Sequence, residues 1–139
     1  MWSQTRPPIN LTHVFCGEVN RRGRPVGYHA LAGERTPGEA EIVERRPAAG
    51  PDAPYEAQIC VQPDEGGRPR CKRSTLFPDD WSQDEVVAAI LQAWRDRTRL
   101  SRAGQWCGPS GRGFTVAGWL LPGREAINTA YPDLSGCPD

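Results

Sequence analysis

Histidine is almost absent from this chain, and the two that occur, His13 and His29, begin and end one segment, HVFCGEVNRRGRPVGYH. Net charge is absent too: 17 basic residues balance 17 acidic ones. A dedicated non-specific binder of nucleic acid is usually basic, because neutralising phosphates drives that affinity. The balance therefore argues against a histone-like role, but leaves room for an enzyme that grips a few nucleotides through a local patch. RRGR (21–24), RPRCKR (68–73) and RDRTR (95–99) are candidates, each equally readable as a solvated face. No run approaches the ~20 apolar residues of a membrane span, so no membrane role is expected. MWSQTRPPIN has no apolar signal-peptide core, so any export would depend on something outside this chain. No CxxC occurs among the five cysteines, which disfavours a zinc ribbon or a thioredoxin-type site. His13-x-x-Cys16 has metal-binding reach but lacks a second close pair. No metal and no cofactor are expected.

What remains is material for one α+β domain of ordinary size. At 37% the hydrophobic content is slightly lean, and the 15 glycines and 14 prolines call for long loops and tight turns. Residues 1–10 read as an N-terminal arm to a domain over 11–139. AGERTPGE (32–39) separates the histidine segment from AEIVERR (40–46), a short edge strand. YEAQICVQ alternates apolar and polar residues as a half-buried strand does, and CKRSTLF (71–77) is its partner across the turn PDEGGRPR. That turn sets Cys60 opposite Cys71, where a cross-strand disulfide fits if the compartment is oxidising and two thiols if it is not. Cys16 reads as a small buried residue or a disulfide partner sooner than as a free thiol.

Ser82-Gln-Asp-Glu85 is a capping box. Behind it Val86/Val87, Ile90/Leu91 and Trp94 recur at helical spacing, predicting one main amphipathic helix over about 83–97 with Trp94 in the core. WCGPSGRG then reads as a loop. FTVAGWLL (114–121) reads as a mostly buried strand, and AINTAYP (126–132) as the closing strand, stopped by Pro132. The strands are expected in a single antiparallel sheet.

Ile127, Thr129 and Tyr131 share one face of the closing strand, and here a larger pattern closes. His-x15-His, then KRSTLFPDDWS leading into a helix, then INTAYP near the end, resembles the bacterial branch of the EndoU-like endoribonucleases over about residues 12–133. The resemblance implies an RNase-A-like mechanism. His13 and His29 match the two catalytic histidines, with His29 as base and His13 as acid. Thr129 and Tyr131 match a T-x-Y pair at the nucleotide. Members cut RNA 3′ of pyrimidines, usually uridine, and leave a 2′,3′-cyclic phosphate. Many bacterial members look like C-terminal toxin domains of larger secreted proteins, delivered into the cytoplasm of a competitor cell and neutralised by an immunity protein. Some cut tRNA. By that likeness, the partners expected here are an RNA, with tRNA one candidate, and a cognate immunity protein; the domain itself would be a monomer.

These residue types suit the chemistry. RNA supplies its own nucleophile, the ribose 2′-OH, so two histidines suffice as proton acceptor and donor. A nearby cation would stabilise the charge on phosphorus. Tyr131 offers a stacking face, and hydroxyls at Thr129, Ser74 or Thr75 could read a pyrimidine edge. The cation is the open position. Lys72 is the nearest match to the family's lysine, yet in the hairpin register above it shares a face with Ala57 and Ile59, while Arg73 and Thr75 share the Cys60 face. A one-residue slip would reverse this, so Arg73, Ser74 or Thr75 also stand as candidates. Glu18 reads as a turn or support residue. Two rival functions remain: a small disulfide-stapled secreted binding module whose histidines only adjust surface charge, and an EndoU fold that binds RNA without turnover.

Overall fold

In a computed structural model of the chain, which describes residues 1–31 and 40–137, the histidine segment starts on a short helix, α1 (Leu11–Phe15). Asn10 caps it: its side-chain oxygen accepts the His13 N–H at 3.2 Å. Val14 and Phe15 turn into the core. Ahead of α1, residues 1–10 lie along the body of the domain. Ile9 is fully buried and bridges to Ile127, and the Asn10 N–H donates to the Ile127 carbonyl at 2.9 Å.

After Gly17 the chain forms a small hairpin, β1 (Glu18–Val19) and β2 (Pro25–Val26). Gly27 and Tyr28 then take positive φ angles of 80° and 67° in succession, which folds the chain back onto α1. The Tyr28 N–H donates to the His13 carbonyl at 2.9 Å and the His29 N–H to the Val14 carbonyl at 2.6 Å. A side chain at Gly27 would overlap the His13 carbonyl oxygen, so only glycine allows this approach. The clustering of the two histidines therefore has a structural cause: the hairpin returns one beside the other.

Separator 32–39 lies outside the described residues. Beyond it, β3 (Ala40–Arg45), β4 (Tyr55–Val61) and β5 (Arg70–Leu76) form an antiparallel sheet in the order β3-β4-β5. Alternation in β4 buries Tyr55, Ala57, Ile59 and Val61 against Tyr28, Ala40 and Leu76. The register is the one the turn predicts, Cys60 opposite Cys71 and Ile59 opposite Lys72, and the two cysteines are joined.

The capping box at Ser82 and Glu85 is formed in both directions, and α2 (Gln83–Arg95) follows it. It lies across a second sheet, β6 (Arg99–Leu100), β7 (Gln105–Pro109), β8 (Thr115–Leu120) and β9 (Ile127–Asp133), in that order. Val86, Ile90, Ala93 and Trp94 pack there with Trp106, Val116, Phe77 and Trp81. The expected loop at WCGPSGRG is thus half strand. Gly108 is buried in β7, where a Cβ would collide with the Ala93 carbonyl of α2. It permits a close crossing instead of marking a turn. A second disulfide, Cys107–Cys137, ties the C-terminal segment to β7, and Cys16, outside both bridges, packs half-buried against the core. The strands divide among three antiparallel sheets instead of one, and β9 runs through Pro132 to Asp133 because, at the edge of its sheet, it has no ladder partner on its outer side. No helix among the described residues is long and apolar enough to cross a membrane.

Candidate active site

β5 and β9 are edge strands of different sheets, and they approach each other without a backbone ladder. Thr75 joins them, its hydroxyl donating to the Pro132 carbonyl at 2.6 Å. Beside this junction opens a cleft of about 640 Å³ lined by His13, His29, Lys72, Ser74, Thr129 and Tyr131, with Arg73, Thr75 and Trp119 at its walls. Every candidate catalytic or nucleotide-contacting residue named from the sequence lines it.

His29 is the best-defined side chain. Its ring is buried, and Nδ1 lies 2.8 Å from the Thr75 carbonyl oxygen and 3.0 Å from Ser74 Oγ. A carbonyl can only accept, so Nδ1 carries the proton. Ser74 has a single hydroxyl hydrogen and spends it on the Tyr28 carbonyl at 3.0 Å. Its oxygen is thereby left to accept from His29. The neutral ring thus holds its lone pair on Nε2, away from β5. That is the protonation state a general base needs.

Burial pushes the His29 pKa down to about 3, and the nearby Lys72 charge acts in the same direction against the Thr75 hydrogen bond. His13 is pushed down to about 4, again by burial first and then by Lys72. Burial lowers Lys72 itself to about 8, so the ammonium persists at neutral pH. The site thus concentrates three groups able to carry positive charge and holds two of them neutral while no anion is present. A phosphate among them would favour protonation of a histidine.

Lys72 lines the cleft in the register read from the turn, and no slip is needed to bring it there. Its face, shared with Ala57, Ile59 and Ser74, reaches the cleft through Lys72 and Ser74. Arg73 shares the opposite face of β5 with Thr75 and pairs with Glu56 at 3.3 Å at the wall of the cleft. The Ser74 and Thr75 hydroxyls are both committed to protein partners, one orienting His29 and the other joining the sheets.

Across the cleft, the Tyr131 ring centre lies 5.4 Å from that of His29. Burial and the Asp133 carboxylate raise its phenol pKa, keeping the hydroxyl protonated. Thr129 Oγ1 is buried without a hydrogen-bond partner among the described residues. Such orphaned hydroxyls are uncommon; the residue lines the cleft while its Oγ1 is closed off from solvent. Trp119 stands opposite Thr129 in the β8–β9 ladder, on the same face, and keeps 38% of its surface exposed. Sequence reasoning passed over it, since a tryptophan inside FTVAGWLL reads as core until its register with Thr129 is known.

The family model for the bacterial EndoU nuclease matches residues 9–134. The chain belongs to the bacterial EndoU nuclease family. A protein named Toxin, from Bacillus cereus, is 32% identical over 127 residues, which cover 90% of this chain and 22% of that protein. The EndoU domain here thus spans about a fifth of that curated relative. No solved structure matches. The α+β build of this EndoU nuclease, antiparallel sheets around one main helix, agrees with the expectation from sequence, and its T-x-Y pair and two histidines fall within the matched residues. Among the described residues no group of three or more His, Cys, Asp or Glu side chains gathers where it could hold a metal ion.

Proposed function

We propose that this EndoU nuclease is an endoribonuclease that cleaves RNA 3′ of uridine, and that it serves as the toxic domain of a larger delivered protein. The observation that carries the chemistry is the His29 ring, sealed by Thr75 and Ser74 so that Nε2 alone is free to accept a proton. In the proposed reaction Nε2 takes the proton of the ribose 2′-OH while that oxygen bonds to phosphorus. The P–O5′ bond breaks, and protonated His13 gives its proton to the departing 5′-oxygen. The products are a 2′,3′-cyclic phosphate and a 5′-hydroxyl. Lys72 stabilises the added negative charge on the pentacoordinate phosphorus. The bound phosphate also raises the low pKa of His13, so the acid is charged when substrate is in place and not before. Tyr131 and Trp119 present faces on which bases can stack, and the unpartnered Thr129 hydroxyl, closed off from solvent before RNA binds, would turn into the cleft to meet the edge of a pyrimidine.

Two disulfides in a domain of this size favour passage through an oxidising space, which suits delivery from one cell into the cytoplasm of another. The toxin relative supports the same reading, and the proposed partners include a cognate immunity protein that protects the producer. Transfer RNA is the proposed target.

The deciding assay incubates the protein, and His13→Ala and His29→Ala variants, with bulk tRNA and a single-uridine oligonucleotide in excess EDTA, then identifies the new ends by mass spectrometry. A cyclic phosphate after uridine, made by the wild type and by neither variant, is expected. Equal cleavage by all three proteins would refute the roles given to the histidines. Tight RNA binding without any product would leave the fold as an RNA-binding module.

A further inference from the structure

Beyond the cleft, two hairpin tips bring together arginines that are far apart in sequence. The β1–β2 tip carries Arg21, Arg22 and Arg24, and the descending side of the β4–β5 turn carries Arg68 and Arg70; all five are exposed. The tips are neighbours: a Cβ built on Gly23 would lie 4.0 Å from an Arg70 guanidinium nitrogen. Among the described residues none of the five forms an ion pair. Asp64 and Glu65 occupy the rising side of the second turn, so the charge is concentrated on its other limb.

Both tips are ordered by their own bonds. Asn20 Oδ1 accepts the N–H groups of Arg22 and Arg24, each at 3.0 Å, and the Asn20 N–H donates to the Arg24 carbonyl. Gln62 donates to the Gly67 carbonyl at 3.0 Å, and the Cys60–Cys71 bridge closes the base of the turn. The arginines also continue the cleft. Arg24 precedes Pro25, Val26 and Gly27, which line it. Arg70, Lys72 and Ser74 project from one face of β5 at steps of about 7 Å, forming a row from the platform to His29.

We propose that these two tips form a phosphate-binding platform that holds the backbone of a folded RNA beyond the nucleotide being cut. The inference rests on the endoribonuclease reading and adds to it the surface that would hold a structured RNA, reaching from the cleft to the tips. Guanidinium forks suit phosphate oxygens. A net-neutral chain that gathers unpaired arginines beside its cleft has a local attraction for polyanions that its overall charge conceals.

The test compares two substrates: the dinucleotide UpA, which fills only the cleft, and an RNA hairpin of about 20 nucleotides with a single loop uridine. Arg21, Arg22, Arg24, Arg68 and Arg70 are replaced together by Gln, and a control replaces Arg95 and Arg102. Thermal unfolding checks that each variant folds. The five-site variant is expected to keep UpA cleavage within about twofold. It should lose about 10- to 100-fold in kcat/KM on the hairpin and show a shallower dependence on salt, while the control changes neither. Equal hairpin cleavage and salt dependence in variant and wild type would overturn the platform; an acidic protein would then be the partner to seek. A matching loss on UpA would overturn it as well, placing the arginines in the cleft's own chemistry. Binding of a hairpin with 2′-deoxyuridine at the cut site is measured in parallel, so the platform can be judged even if wild-type protein cleaves nothing and the endoribonuclease reading fails.

Discussion

His29→Asn should flatten the response of this protein to acid. In the folded chain the His29 pKa stands at about 3 and that of His13 at about 4, both lowered first by burial; in the unfolded chain each returns to about 6.5. The unfolded state therefore binds more protons everywhere below about pH 6.5, and stability must fall as pH falls through that window. One pH unit corresponds to 1.36 kcal/mol for each group while it stays neutral in the fold. Between pH 7 and 4.5, each histidine should thus remove about 2.5 kcal/mol. The pair would remove about 5 kcal/mol, a large part of the 5–15 kcal/mol that holds an ordinary domain together. Asparagine keeps an N–H near the place of Nδ1, able to donate to the Thr75 carbonyl, but it cannot titrate. Its loss over the same interval should be about 2.5 kcal/mol smaller than that of the wild type, since carboxylate contributions are common to both proteins. Urea unfolding at pH 7 and 4.5, disulfides intact, measures this directly. Equal losses would show that the His29 pKa stays near its unfolded value in the fold, and that burial does not hold the ring neutral.

The same pKa ordering governs rate. The productive form pairs protonated His13 with neutral His29, so kcat/KM on a dinucleotide should fall about tenfold per pH unit above about pH 5; a profile flat or rising to pH 8 would contradict it. Lys72→Gln removes a charge that holds both histidines down, so their NMR titrations should move upward yet remain below 6.5, because burial is the larger cause; unmoved titrations would mean that Lys72 does not act on them. Gly27→Ala forces a side chain against the His13 carbonyl at a φ of 80°, and should cost about 1–3 kcal/mol of stability and at least about tenfold in kcat/KM. Wild-type behaviour in that variant would show that the approach of His29 to α1 does not matter. Replacing Cys107 and Cys137 by Ala should destabilise by about 4 kcal/mol and replacing Cys60 and Cys71 by about 3 kcal/mol, since the bridges span 30 and 11 residues; the reverse order in urea unfolding would count against loop closure as the dominant effect.

Local signals in the chain were legible wherever one interaction dominated. The capping box placed α2, and the turn at EGG placed Cys60 opposite Cys71, so the register of β4 and β5 could be read residue by residue. What could not be read was which face of β5 meets the histidines. That face is shared with Ala57 and Ile59, and a core-facing lysine looks like an error until the cleft beside it is seen. The two larger of the three sheets read as one because β5 and β9 do run side by side; they are joined by the Thr75 hydroxyl and not by a ladder, and no periodicity records that difference. β7 was missed because Gly108 and Pro109 carry the composition of a loop, although the glycine is there to let α2 approach. The meeting of the two histidines depends on a pair of left-handed residues, and a tyrosine at one of them, Tyr28, is not a residue that announces such a backbone. Its side chain is buried in the cluster under the three-stranded sheet, while its carbonyl receives the Ser74 hydroxyl that orients His29. The strain at Tyr28 is thus held in place by the packing of one core and used at the edge of the cleft, which explains why the most specific geometry of the site left the faintest mark on the sequence.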